Sequence, residues 1–212
     1  MSNMMKELFF ADAIYHKDTE NYTEMNTDLV DKILQWRRND PEGVKISNSL
    51  GWQSKSIMQN DKDTWKDLLK KINEFLKEVW TSEQYVENST LEIQNMWANI
   101  NYRYAYNRYH EHSNCLWAGI YYVQSPSNCG NTMFHKEWAR YQNITKPVFQ
   151  QFPPVHHSYQ WDSVFFKPIE GRLILFPSWI GHQVEQNLTD LEGQDGYRIS
   201  ISFNVKQVIG KE

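Results

Sequence analysis

The spacing of apolar residues divides the chain into two parts with different periods. In "NTDLVDKILQWRRND", Leu29, Val30, Ile33 and Leu34 fall on one helical face, behind the cap candidates Asn26 to Asp28. In "DTWKDLLKKINEFLKEVW", Trp65, Leu68, Leu69, Ile72, Phe75, Leu76, Val79 and Trp80 repeat at helical spacing, and lysines and glutamates fill the opposite face. Both segments predict helices packed on a core. From about Ser89 the pattern shortens to period two or to brief apolar runs. "LEIQNMWANINY", "LWAGIYYVQ", "NTMFH", "SVFFKPI", "GRLILFPSW" and "RISISFNVKQV" read as strands, separated by the turn signals "SPSNCGN", "KPIEGR" and "LEGQDG". Many short strands without intervening helices predict an antiparallel sandwich or jelly roll. The expected class is therefore α+β, with N-terminal helices buttressing one sheet. We expect a single domain over 1–212, mostly helical over 1–88 and a jelly-roll core over 89–208.

Composition supports a folded chain and narrows its partners. A chain of 212 residues buries about 70% of the surface its unfolded form exposes. Nine tryptophans and twelve tyrosines supply large packing surfaces. A net charge of -4 gives no overall basic field for nucleic acid. Cys115 and Cys129 read as reduced thiols of a cytosolic protein, with a single disulfide as the alternative. The first twenty residues lack the long apolar region and cleavage site of a signal peptide, and no apolar stretch is long enough to span a bilayer. The expectation is a soluble, cytoplasmic protein with no nucleic-acid or membrane partner. Exposed edge strands and the apolar "LFF" near the N-terminus would allow a homodimer.

Candidate chemistry begins at "YHEHSNCLWAGIYYV", Tyr109 to Val123. His110 and His112 are two apart, so on a strand they point the same way. They suit a metal site or a solvated edge. His182, in "LFPSWIGHQVEQN", lies just past the apolar run Leu173 to Phe176. It suits a ligand at a barrel mouth or a rim histidine. His16, His135, His156 and His157 have no partner pattern and read as exposed or locally bonded. In "YRISISFNV" the faces alternate: Ile199, Ile201, Phe203 and Val205 against Arg198, Ser200, Ser202 and Asn204. The polar face is either solvated or the inside of a barrel. Inside, Arg198 beside Ser200 would form a carboxylate receptor, because a guanidinium fork grips carboxylates bidentately. Trp117, Trp138, Trp161 and Trp179 would shape a dry pocket or simply fill core. "QFPPVHHSYQWDSV" is either a lid over the site or an ordinary surface excursion.

The order of these motifs carries a resemblance. His-x-His, "AGIYYV", "GNTMF", "EGRLILFPSWIGHQVEQN" and "YRISISFN" resemble the iron(II)/2-oxoglutarate oxygenases. More narrowly they resemble the 2-oxoglutarate oxygenases of marine bacteria and cyanophages, a group near the prolyl-hydroxylase-like branch. "KISNSLGWQSKS" resembles that group's "SN.GGWQS" segment, so the likeness runs from about Lys45 to Val205. It implies a double-stranded β-helix, the cupin-like jelly roll. It also implies an Fe(II)- and 2-oxoglutarate-dependent dioxygenase, a hydroxylase of a peptide or small molecule that releases succinate and CO2. By this resemblance His110 and His182 are metal ligands, and Arg198 pairs with the far carboxylate of 2-oxoglutarate. Ser200 and Tyr122 assist Arg198. Asn99 and Asn101 match a "W.N.N" strand whose role is unassigned; Asn101 is counted with the co-substrate residues.

One departure matters. The family's motif is His-x-Asp…His, two histidines and a carboxylate. Here His112 stands in the carboxylate's place. Glu111 would point to the opposite strand face, and Glu137 in "FHKEW" is a remote substitute. We therefore expect three-histidine coordination by His110, His112 and His182. Three histidines also suit zinc, so two other classes stay open: a three-histidine jelly-roll metalloenzyme that does not use 2-oxoglutarate, and a non-catalytic binding module of the same fold.

Overall fold

The computed structural model describes residues 12–56, 64–136 and 162–210. Two antiparallel sheets face each other. In chain order the elements are β1 (Tyr15–Asp18), α1 (Thr23–Asn39), β2 (Asn48–Ser49), β3 (Trp52–Gln53), α2 (Lys66–Ser82), β4 (Ser89–Asn101), β5 (Tyr106–His110), β6 (Trp117–Gln124), β7 (Thr132–His135), β8 (Ser163–Phe166), β9 (Arg172–Pro177), β10 (His182–Val184) and β11 (Arg198–Ile209). The larger sheet runs β1-β9-β6-β11-β4-β3 and the smaller runs β2-β5-β10-β7-β8. This is a double-stranded β-helix, as expected. The strands β1, β2, β3, β5 and β10 have no counterpart in the sequence pattern: four of them span two to four residues, too brief to show a period, and the five residues of β5 carry no apolar alternation.

Both helices lie on the outer face of the larger sheet. Leu68, Ile72, Phe75, Leu76 and Val79 of α2 are buried there with Leu29, Ile33 and Leu34 of α1. Each such side chain contributes about 1.5–3 kcal/mol relative to exposure. From the sheet, Ile199, Ile201, Phe203 and Val205 meet them. Asn26 does not cap α1, which begins one turn earlier at Thr23. It is buried, its Nδ2 donates to Val123 O at 2.7 Å, and its Oδ1 accepts the Tyr121 hydroxyl at 2.7 Å. A polar residue that the local sequence offered as a cap is used to strap helix to sheet.

Strand β4 contains a bulge. Asn204 pairs with Asn95 and Val205 with Ile93, so Gln94 is an extra residue. Above it Leu91 and Ile93 face the helices; below it Met96, Ala98 and Ile100 do. The switch turns Asn95, Trp97, Asn99 and Asn101 toward the interior between the sheets. Part of that interior is filled by an apolar cluster of Ala118, Ile120, Tyr122, Phe134, Ile174, Phe176 and Ile180. Ile120, Tyr122 and Phe176 also border a polar cavity beside it.

Candidate functional site

Three histidines meet where the sheets come together. His110 on β5 and His182 on β10 are direct cross-strand partners, and their rings lie 4.2 Å apart. His112 follows β5, held by its backbone N–H donating to Ser178 O at 3.0 Å. Ser178 belongs to the "FPSW" turn, and its hydroxyl donates to Cys115 O at 2.7 Å. Thus one motif anchors the loop carrying the other. His112 stacks on His182 at 5.1 Å and on Trp97 at 5.9 Å. A Cβ at Gly181, which precedes His182, would sit 1.8 Å from the Tyr109 hydroxyl, so that half-exposed ring would have to move.

The ligand atoms of His110, His112 and His182 lie within 4.8 Å of one another, and this trio can hold a metal ion. Each Nδ1 faces an acceptor oxygen: Arg108 O at 2.7 Å, Asn204 Oδ1 at 2.7 Å and Ile180 O at 3.1 Å, in that order. A carbonyl oxygen only accepts, so each Nδ1 carries the proton and each Nε2 presents its lone pair. Burial, reinforced by the neighbouring histidines, pushes His112 down to about 4 and His182 well below the usual imidazole range. Burial also lowers His110. All three are therefore neutral near pH 7, the form a metal requires. Among the described residues no carboxylate joins the trio. Glu111 is exposed, and Glu137 lies outside the described residues.

The trio opens into a cavity of about 550 Å³, a size that holds a small ligand. Tyr122, Asn101, Arg198 and Ser200 all line it with the histidines. Ser200 lies directly across from Tyr122 on one side and Asn99 on the other, and Arg198 across from Asn101. Arg198 is 1% exposed. Its Nη1 donates to the carbonyls of Cys129, Gly130 and Glu185, while its Nη2 has no partner. Burial lowers its pKa, yet a guanidinium stays charged. A buried cation without an anion is costly, so the cavity is built for an anionic ligand. Asn101 Nδ2 donates to Asn107 Oδ1 at 3.1 Å.

Two residues with a part here escaped the sequence reading. Thr132 lines the cavity, and its hydroxyl is 2.6 Å from that of Tyr122. The alternation of "NTMFH", with Phe134 inward, would have placed it inside. Asn204 belongs to the polar row of β11, but its tie to His112 crosses 92 residues and leaves no local trace. The cavity's indole is Trp97. Trp117 packs on the helix side and Trp179 is half exposed, donating to Asp12 Oδ1 at 3.0 Å. Trp138, Trp161, His156, His157 and most of "QFPPVHHSYQWDSV" lie outside the described residues. His16 sits on edge strand β1 against Phe166, and His135 packs on Tyr109.

The family described as "Putative 2OG-Fe(II) oxygenase" matches residues 95–204, more than half of the chain. No curated protein matches its sequence. Among solved structures, a Pseudomonas putida prolyl-4-hydroxylase superposes with a TM-score of 0.61 at 11% identity, covering 92% of each chain. The viral collagen prolyl hydroxylase of Paramecium Bursaria Chlorella virus-1 gives 0.54 at 12% identity, covering 92% of this chain and 96% of its own. The non-heme alpha ketoglutarate dependent carbocyclase SnoK gives 0.62 at 9% identity, covering 92% and 79%. These identities speak for the fold alone. The two groups the family name carries fit the residues present: three neutral imidazoles suit Fe(II), and the partnerless Arg198 Nη2 suits a carboxylate of 2-oxoglutarate. The chain belongs to the 2OG-Fe(II) oxygenase family and is an oxidoreductase whose metal is Fe(II) and whose co-substrate is 2-oxoglutarate.

Proposed function

We propose that His110, His112 and His182 hold Fe(II) through Nε2, and that Arg198, Ser200, Tyr122 and Asn101 receive 2-oxoglutarate. The observation that carries this reading is the buried, partnerless Nη2 of Arg198 in the same cavity as the three histidines. Bound Fe(II) and 2-oxoglutarate supply the oxidising power for an O2-dependent hydroxylation that releases succinate and CO2. The chain's own residues position and exclude. Arg198 neutralises the far carboxylate and fixes its direction, because three backbone carbonyls already hold its other arm. Burial raises Tyr122, so its hydroxyl stays protonated and can donate. Phe134 and Phe176 pack against His182 and shield its ring from water.

The reaction we propose is hydroxylation of a peptide or small molecule, with a prolyl residue as the leading target. Two of the solved neighbours named above are prolyl hydroxylases. We further propose a cytoplasmic protein, with a homodimer as its candidate assembly and no nucleic-acid or membrane partner. Among the described residues no helix is long and apolar enough to cross a membrane, and both cysteines are free thiols.

The test is anaerobic loading with Fe(II) and 2-oxoglutarate, followed by O2 and succinate measurement with and without prolyl peptides. Succinate that needs Fe(II) and is lost in Arg198→Ala supports the assignment. Unchanged 2-oxoglutarate turnover in Arg198→Ala overturns the co-substrate pocket, and a protein that takes up no iron is a binding module.

A further inference from the structure

The inward row of β4 continues past the co-substrate residues. Asn95 lies opposite Asn204, Trp97 opposite Ser202, and Asn99 opposite Ser200, and all line the one cavity. The row begins beside the metal trio: Trp97 stacks on His112, and Asn204 bonds it.

Two atoms in this row have no partner. Asn99 is 5% exposed. Its Nδ2 donates to Ser202 Oγ at 3.0 Å, but its Oδ1 is buried and unbonded. Asn95 Oδ1 is likewise buried and unbonded. Buried polar atoms are normally satisfied, so two facing one cavity call for a ligand that donates. 2-Oxoglutarate cannot fill this role. At neutral pH it is a dianion and offers only acceptors. The wall is also uncharged: besides Arg198, the charged side chains lining the cavity are Lys55 and Glu111, and both are exposed.

We propose that Asn95, Trp97 and Asn99 form the substrate-recognition wall, and that the substrate is an uncharged molecule presenting hydroxyl or amide N–H donors to it. The inference rests on the oxygenase reading of the cavity and adds the substrate's chemistry. Asn99 lies four positions along the strand from Asn95, about 13 Å, so the recognised part is extended. Its apolar portion lies on Trp97, the residue that also backs His112. Such donors come from peptide amides or from the hydroxyls of a small polyol.

The test uses the full-length Fe(II) enzyme and follows succinate release with two arms of probes. One arm is neutral blocked prolyl tripeptide amides; the other is neutral methyl glycosides. Each arm includes a carboxylate-bearing version and a version with donors methylated. We expect the neutral donors of one arm to stimulate release about tenfold or more over both altered versions, and that arm names the source. Equal stimulation by the carboxylate or methylated versions, or none by either neutral arm, overturns the proposal.

Asn95→Leu and Asn99→Leu should each raise the KM for the stimulating probe about tenfold, with an unchanged melting temperature as the folding control. The 2-oxoglutarate Kd is read separately by anaerobic calorimetry. An unchanged KM in both variants means that water alone occupies the acceptors, and the proposal falls. A 2-oxoglutarate Kd that weakens in step with KM assigns the row to the co-substrate pocket and also overturns it. Absence of 2-oxoglutarate binding in the unaltered protein would sink the oxygenase reading itself, and the wall with it.

Discussion

His112 Nδ1 donates to Asn204 Oδ1 at 2.7 Å, and this one bond ties the third histidine to the opposite sheet. His110 is oriented by a carbonyl of its own strand, Arg108 O, and His182 by Ile180 O in the turn before β10. His112 has left β5 and depends on a side chain. Removing such an orienting partner costs a metal site about 10–100-fold in affinity. Asn204→Ala should therefore weaken Fe(II) binding by that range while the other two histidines stay in register. Competition against a metal-sensitive chelator dye measures it; unchanged affinity would show that packing on Trp97 and His182 alone orients the ring.

Arg198 should prove both a binding and a structural residue. A charge-assisted hydrogen bond is worth about 1.5–3 kcal/mol, so Arg198→Ala should weaken 2-oxoglutarate binding roughly 10–150-fold. The three carbonyls that accept from Nη1 also lose their donor, so the melting temperature should fall. Arg198→Lys keeps the charge but not the fork. It should recover much of the stability and little of the affinity, with calorimetry and thermal melts separating the two.

Metal-free protein should lose stability as the medium becomes acidic. His112 titrates at about 4 in the fold and near 6.5 when unfolded. Between those values the unfolded chain binds a proton that the folded chain refuses, so stability falls as pH drops from about 6.5 to about 4 and then levels. Buried His182 and His110 shift in the same direction. His112 alone should account for up to about 3 kcal/mol. Urea midpoints of the apoprotein across that range check the sign, and bound metal, which keeps the three imidazoles unprotonated in the fold, should carry the loss on to lower pH.

Gly119 faces Phe203 across β6 and β11. A Cβ there would meet the phenyl ring at 2.2 Å, with no room on the helix side for the ring to retreat. Gly119→Ala should destabilise by about 1–3 kcal/mol. Adding Phe203→Leu should restore part of that loss. A double-mutant cycle in urea gives the coupling energy.

Much of the fold was legible because its signals are local. The helical period of α2 named Leu68, Ile72, Phe75, Leu76 and Val79, all of which are buried. The alternation of β11 separated Ile199, Ile201, Phe203 and Val205 from Arg198, Ser200, Ser202 and Asn204, and the structure places the two sets on opposite faces. The co-location of His110, His112 and His182 was suggested by the order of motifs, not by spacing. What stayed hidden depends on register. A strand alternation read through "LEIQNMWANINY" without the bulge puts Trp97 on the same face as Leu91 and Ile93. Thr132 and Asn204 gain their roles only from partners on other strands.

The extra residue Gln94 has a consequence for how this chain tolerates change. It sets the phase of β4, deciding which alternate residues look inward. Deleting it would send Asn95, Trp97, Asn99 and Asn101 toward the helices and turn Met96, Ala98 and Ile100 into the cavity. No histidine and no arginine would be altered, yet the pocket would turn greasy and the core would fill with amides. Point substitutions can tune this site gradually, whereas a one-codon indel at position 94 would erase it in a single step.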